Sequence, residues 1–177
     1  WFLHRVNAWR AAGIFPAFSA GNYSGCATLS SPGEYQESFA SVAHDAGRNI
    51  SGFSSGGPSC FGHTPYTKPN LSAPGKDICS AVPPDSWSCS YSGTSMASPH
   101  SAGAVALLWS CRPALIGQVD QTFQVLQQSA DTPPEGTCGA PPDGEGDYTY
   151  GYGYLNVLAA GLQVCDGRGW LAGRVTD

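Results

Sequence analysis

The stretch SPHSAGAVALLW, at residues 98–109, constrains the fold more than any other part of the sequence. It has the length of a helix, and its apolar residues leave almost no polar face. These apolar residues are Ala102, Ala104, Val105, Leu107 and Leu108. The stretch is far too short to cross a bilayer, which requires about 20 apolar residues. We therefore predict a helix that is buried inside a globular domain.

Strands and helices alternate along the rest of the chain. Helices are predicted over residues 1–12, 116–129 and 154–164, and strands over residues 14–20, 37–44 and within 71–82. In the first helix, Phe2, Val6 and Trp9 are spaced to share one face. The alternation predicts an α/β fold with a mostly parallel, doubly wound sheet and helices on both faces. Such sheets place active sites beyond the carboxyl ends of their strands.

Composition excludes some partners and indicates a compartment. The chain has 177 residues and a formal net charge of −5, with no basic cluster, so neither a nucleic-acid partner nor a membrane span is expected. Its seven cysteines include no CxxC pair, which favours structural disulfides in an oxidising compartment. Nearness in sequence favours the bridges Cys79–Cys89 and Cys138–Cys165. The odd number leaves one cysteine without a partner in the chain.

Ser95, in the stretch GTSMASPH at residues 93–100, is the candidate nucleophile. A serine hydroxyl needs a base to activate it, and the start of a helix offers N–H groups that favour negative charge. Neither a Gly-x-Ser-x-Gly elbow with a downstream histidine nor a trypsin-like order built on His44 fits the residues. The chain therefore has a good nucleophile position and no convincing base of its own. The alternatives are Ser95 as a helix cap and Asn22 as a plain turn residue.

Several segments together resemble the subtilases, the subtilisin-like serine endopeptidases. GTSMASPHSAGAVALL resembles the family's serine block, and IFPAFSAGNYSG resembles the block with its oxyanion-hole asparagine. SPGEY, SGFSSGGPS, NLSAPGKDICSAV and YGYGYLNVLAAG resemble further segments in the family's order. AWRAAGIFPAFSAGN is similar to the bacillopeptidase F branch. Because the family's blocks with the triad Asp and His are absent, the resemblance implies that residues 1–165 are the C-terminal portion of a catalytic domain whose N-terminal half is missing.

The resemblance implies a role for each residue of the site. Ser95 would attack the scissile carbonyl, and its backbone N–H and the Asn22 carboxamide would donate to the oxyanion. Thr94 would support this oxyanion hole, and Gly93 would keep the approach open. The residues expected to line the pocket for the substrate side chain before the cut are Ala20, Gly21, Ser30 and Gly33. A cis peptide bond is expected at Ser31–Pro32.

The resemblance also implies a secreted enzyme that needs no cofactor. Its partners would be a polypeptide substrate and the missing half of the domain, without which the chain is expected to be inactive. Residues 166–177 are similar to the start of a β module, and they are expected to be a linker or the beginning of such a module. The alternative function is a non-catalytic remnant that acts as a binding or structural module.

An acidic loop leaves calcium binding open without supporting it. Asp143, Glu145 and Asp147 alternate as in half of a calcium loop. Tyr148 and Tyr154, however, stand where an EF-hand needs Gly and Glu. We therefore expect no metal site.

Overall fold

A computed structural model describes residues 2–59, 61, 66–142 and 144–165. The strands of this part are β1 (Ala17–Ser19), β2 (Phe39–His44), β3 (Leu71–Pro74), β4 (Ile78–Val82) and β5 (Ser86–Tyr91). The helices are α1 (Leu3–Ala11), α2 (Thr94–Cys111), α3 (Val119–Gln128) and α4 (Val157–Val164), and a single 3-10 turn at Pro113–Leu115 follows α2. Residues 166–177, predicted to be a linker or the start of a following β module, lie outside the described residues.

β1, β2 and β3 form a parallel sheet in that order. Ala17 pairs with Phe39 and Ser41 pairs with Leu71, so these alternate residues share one face of the sheet. α2 packs against this face, where the Oγ atoms of Ser41 and Ser101 lie 2.8 Å apart. The side chains of β2 are buried along its whole length, which explains why its sequence is apolar or small as far as Ala43.

α1 contacts the opposite face of the sheet. The Trp9 ring stacks on Phe18, with 5.9 Å between the ring centroids, and Phe18 points away from the face that Ala17 occupies. Helices therefore lie on both faces of a parallel sheet. The predicted α/β fold is confirmed, with β4 and β5 added as an antiparallel hairpin.

The main core lies between the sheet and the helices α2 and α3. Phe39, Leu108 and Leu126 are fully buried there, and the rings of Phe39 and Phe123 meet edge to face. The outer side of α2 is different, because Leu107 remains 40% exposed. An apolar groove of about 710 Å³, which we call the α2 groove, runs along this side. Its lining residues include Pro99, Gly103, Ala106, Leu107, Leu155 and Val157.

Several predicted elements differ in detail from the structure. α2 begins at Thr94 rather than at Ser98. In α1 only Val6 is buried, because Phe2 precedes the helix and Trp9 lies over Phe18 at the edge of the sheet. The predicted strand at 14–20 shrinks to the half-buried β1. β5 was not predicted, since its sequence SWSCSY is polar and exposed rather than apolar.

Three disulfides connect the described residues. Cys79–Cys89 joins β4 to β5, as predicted. The predicted Cys138–Cys165 bridge is wrong: Cys138 pairs with Cys26, and Cys165 pairs with Cys111. The reason is tertiary, because α4 packs against α2 and brings Cys165 to the end of that helix. Cys60 lies outside the described residues.

Candidate active site

Thr94 fixes the side chain of Asn22. Asn22 lies in the turn that follows β1, and Thr94 is the fully buried first residue of α2. The Asn22 Oδ1 atom accepts hydrogen bonds from Thr94 N and from Thr94 Oγ1, each at 2.9 Å. Thr94 Oγ1 also accepts from Gly21 N at 3.2 Å. Because the oxygen of the carboxamide is held on one side, its Nδ2 donor has a defined direction.

Two N–H donors converge above Gly93. A Cβ atom placed on this glycine would lie 3.6 Å from Asn22 Nδ2 and 3.7 Å from Ser95 N. Ser95 N belongs to the first turn of α2, where backbone N–H groups have no partner within the helix. Both Asn22 and Ser95 are solvent-exposed. The arrangement offers an accessible point at which negative charge can be stabilised beside a hydroxyl group.

The histidines near this part of the fold have other partners. His100 Nδ1 donates to Met96 O at 2.8 Å. His44 Nδ1 lies 2.7 Å from Ser72 Oγ, and burial, assisted by Arg48, lowers the pKa of His44 to about 4. Within the described ranges, no hydrogen bond joins Ser95 to a histidine. These residues supply a nucleophile position and anion donors without a base.

The four residues predicted for the substrate pocket form one tightly packed group. Ala20 O accepts a hydrogen bond from Ser30 N at 2.9 Å. A Cβ on Gly21, whose φ is +116°, would lie 2.3 Å from Ser30 Oγ. A Cβ on Gly33 would lie 2.5 Å from Ser19 O. Larger residues would therefore separate residues 30–38, which we call the pocket loop, from the end of β1. The peptide bond Ser31–Pro32 is cis, as predicted.

A groove of about 590 Å³ runs from Ser95 to the β4–β5 hairpin, and it was not predicted. Its lining residues include Ile78, Val82, Pro83, Tyr91, Met96 and Pro99. The base of the hairpin is fixed to the site, because Gly93 N donates to Gly75 O at 2.8 Å. The predicted pairing of Cys79 with Cys89 was a signal in the sequence that the segments forming β4 and β5 are neighbours.

Ser55 is a further residue of the site that the sequence analysis did not single out. Its backbone N donates to Gly21 O at 3.0 Å, and its Oγ accepts from Tyr23 N at 3.1 Å. It therefore holds the backbone on both sides of Asn22. The segment SGFSSGGPS gave no signal of this contact beyond its resemblance to a family segment.

No set of three or more His, Cys, Asp or Glu side chains that could hold a metal occurs among the residues that the structure describes. Asp143 of the acidic loop lies outside them. Asp147 accepts hydrogen bonds from Thr149 N and Tyr150 N, and burial raises its pKa. These hydrogen bonds of Asp147 join residues of the same loop.

Comparison with known proteins decides the family. Residues 3–153 match the subtilase family. The chain belongs to that family. This subtilase is 38% identical over 181 residues to bacillopeptidase F of Bacillus subtilis (strain 168), an alignment that covers 99% of the chain and 12% of the relative. It is 34% identical over 153 residues to subtilisin DY of Bacillus licheniformis, which covers 85% of the chain and 47% of that relative.

A solved protease structure shares the fold. The prenylagaramide maturation protease PagA matches with a TM-score of 0.68 and 27% identity, over 89% of this chain and 53% of that one. The chain thus spans about half the length of subtilisin DY and of PagA, and much less of bacillopeptidase F. No helix in the described part of the chain is long and apolar enough to span a membrane.

Proposed function

We propose that this subtilase chain is the serine-bearing part of a secreted serine endopeptidase that cleaves polypeptides through an acyl-enzyme on Ser95. One observation carries the proposal: Asn22 Nδ2 and the backbone N of Ser95 approach the same point above Gly93, and both Asn22 and Ser95 are solvent-exposed. An oxyanion is the ligand that two such donors suit best. Membership of a family of proteases supports the same reaction.

The reaction would proceed in two steps. Ser95 Oγ attacks the scissile carbonyl carbon and gives its proton to a base, and the carbonyl oxygen becomes an oxyanion held by Ser95 N and Asn22 Nδ2. Collapse of this intermediate breaks the C–N bond, and the amine leaves with the proton from the base. Water then hydrolyses the ester and frees Ser95. No cofactor takes part in either step.

We infer that the base, a histidine with its orienting aspartate, comes from polypeptide beyond residues 1–177. Two observations support this: no described histidine bonds to Ser95, and the chain spans 47% of subtilisin DY. In this proposal residues 1–165 are the C-terminal portion of a catalytic domain, and residues 166–177 are a linker or the start of a following β module. The α2 groove, apolar and open, is a surface for the remaining portion. Residues 1–177 alone would hydrolyse peptide bonds negligibly.

The proposed substrate pocket is lined by Ala20, Gly21, Ser30 and Gly33, and Gly93 and Thr94 shape the adjoining oxyanion hole. The close contacts of Gly21 and Gly33 support this assignment, because they keep the pocket loop against the end of β1. Secretion is supported by three disulfides and by relatives described as extracellular proteases, such as Vpr of Bacillus subtilis (strain 168).

Serine-directed labelling tests the proposal. The full-length protein is treated with a peptidyl phosphonate, and mass spectrometry locates the adduct. We expect the adduct on Ser95, with labelling and proteolysis abolished in Ser95→Ala and unchanged in the control Ser98→Ala. An adduct on another residue would reject Ser95 as the nucleophile. So would a folded protein that is not labelled and whose proteolysis persists in Ser95→Ala. A folded protein without either activity would favour the binding-module alternative.

Two further variants test the oxyanion hole. In subtilisin itself, removal of the side-chain donor lowers kcat by about 100- to 1000-fold, and we expect that range for Asn22→Ala. Thr94→Val removes the hydroxyl that holds Asn22 Oδ1, and we expect kcat to fall about tenfold while KM stays within a factor of two. Thr94→Ser keeps the hydroxyl and is the matched control. Equal losses in Thr94→Val and Thr94→Ser would contradict the role of this hydrogen bond.

A further inference from the structure

Lys68 is a buried lysine without a carboxylate partner. It is one of two lysines in the chain, and it is 1% exposed, whereas Lys76 lies at the surface. The ion pairs of the described residues involve Arg10 and Arg48 instead. Burial lowers the pKa of Lys68 to about 7. Because an ammonium group in such a place is costly, its contacts should serve a purpose beyond filling space.

The ammonium group of Lys68 joins the pocket loop to the sheet. Its Nζ donates to Ser38 O, at the end of the pocket loop, and to Asn70 Oδ1 at 2.7 Å. Asn70 Oδ1 also accepts from Ala40 N at 2.7 Å, and Asn70 N donates to Ala40 O at 2.9 Å. Asn70 directly precedes β3, and Ala40 belongs to β2. One charged group thus connects the loop with two strands.

A second contact from the same region holds the middle of the pocket loop. Tyr66 OH donates to Glu34 O at 2.5 Å, and Ser59 Oγ donates to the same oxygen at 2.9 Å. Like Lys68, both side chains bind a backbone carbonyl. They therefore fix the path of the loop rather than the conformation of its side chains.

The position of the pocket loop reaches the candidate site directly. Ser30 N, at the start of the loop, donates to Ala20 O, two residues before Asn22. Gly33 approaches Ser19 O so closely that no side chain would fit between them. A shift of the loop would therefore change the space between it and Gly21.

We propose that Lys68 is a positioning residue for substrate binding: its ammonium group clamps the pocket loop to β2 and β3 and so sets the width of the pocket that receives the substrate side chain before the cut. This inference rests on the proposed endopeptidase function. It differs from a packing role, because loss of the ammonium group should alter the pocket loop and substrate selection more than the core.

Hydrogen exchange tests the clamp without requiring activity. The full-length protein carries Ser95→Ala, which also prevents self-digestion, and Lys68→Met is compared with the surface control Lys76→Met. We expect peptide amides within residues 30–38 to exchange at least about tenfold faster in Lys68→Met, while those of α2 are unchanged. Unchanged exchange of residues 30–38, or equal acceleration throughout the core, would overturn the clamp.

Steady-state kinetics test the effect on substrate. With Ser95 restored, we expect Lys68→Met to raise KM about five- to tenfold, to leave kcat within a factor of two, and to change the ratio of kcat/KM for two peptides that differ only in the residue before the cut. Tyr66→Phe removes a half-buried hydroxyl from the same loop and should act in the same direction more weakly, so it carries the test if Lys68→Met does not fold. Unaltered KM and selectivity in both variants would overturn the proposal. Absence of activity in the unmutated protein would instead reject the proposed function, and the exchange experiment would still decide the clamp.

Discussion

At the scale of single residues, Lys68 makes the stability of this domain depend on pH. Its pKa is about 7 in the folded chain, below the ordinary value of 10.5. Burial is the main cause; Arg10 reinforces the shift and Glu37 opposes it. Between these two pKa values the unfolded chain binds more protons than the folded chain, so the free energy of unfolding rises with pH across this window. The destabilisation is complete below pH 7 and is relieved as the pH approaches 10.5.

We expect this pH dependence of stability to appear when the unmutated protein is compared with Lys68→Met. Between pH 7 and 9, the free energy of unfolding of the protein with Lys68 should rise by about 2 kcal/mol relative to Lys68→Met, at about 1.4 kcal/mol per pKa unit. Denaturant unfolding of the Ser95→Ala protein at both pH values measures it. Lys76→Met, at an exposed position, should follow the unmutated protein. A difference that stays constant or falls with pH would show that folding does not lower the pKa of Lys68.

Residues of the site differed in how far the sequence could predict them. Ser95 stands at the start of a helix, so local sequence was sufficient to single it out as the nucleophile, whereas the roles of Thr94 and Gly93 came from the resemblance. Asn22 was added by the resemblance. Lys68 was missed because its partner Ser38 lies 30 residues away and because a single lysine before a proline is an ordinary surface pattern.

At the scale of elements, burial decided what could be predicted. β2 and α2 are covered by neighbours, and their apolar sequences gave their type and approximate position. β5 is exposed on both sides, so its sequence carries no strand pattern, and only pairing with β4 makes it a strand. The pairing of Cys138 with Cys26 was equally out of reach, because it depends on how distant loops meet.

That long-range pairing predicts an order among the disulfides. Cys26 and Cys138 are separated by 112 residues, and Cys79 and Cys89 by 10. Since a longer closed loop restricts the unfolded chain more, replacing both Cys26 and Cys138 by Ala should lower the free energy of unfolding by about 2 kcal/mol more than replacing Cys79 and Cys89. Denaturant unfolding of the two double variants, in the Ser95→Ala protein, makes the comparison. Equal losses, or the reverse order, would show that local contacts of the hairpin outweigh loop length.

At the scale of the whole molecule, the apolar surface is distributed unevenly. The sheet is covered on both faces, yet the α2 groove remains open beside the candidate nucleophile. Large exposed apolar patches in soluble proteins mark surfaces that other polypeptide covers. The relatives are longer than this chain. In the proposal that further polypeptide supplies the base, the same polypeptide would cover the groove. Under that proposal, the open groove and the lack of a histidine bonded to Ser95 among the described residues have the same cause.

Substitutions at Leu107 and Leu162 test whether further polypeptide covers the α2 groove or whether the groove faces solvent. Leu107 lines the α2 groove, whereas Leu162 on α4 is 78% exposed and lies outside the groove. In the full-length Ser95→Ala protein, Leu107→Asp would bury a charge without a partner against the remaining part of the domain, and we expect the free energy of unfolding to fall by at least about 2 kcal/mol. Leu162→Asp makes the same chemical change at the surface and should lower the free energy of unfolding by less than about 0.5 kcal/mol.

Residues 1–177 expressed alone should self-associate, as measured by light scattering. Leu107→Asp should reduce that association because it places a charge in the apolar groove. Similar small losses for both variants in the full-length protein would mean that nothing covers the α2 groove, and the source of the base would then have to be sought on another surface.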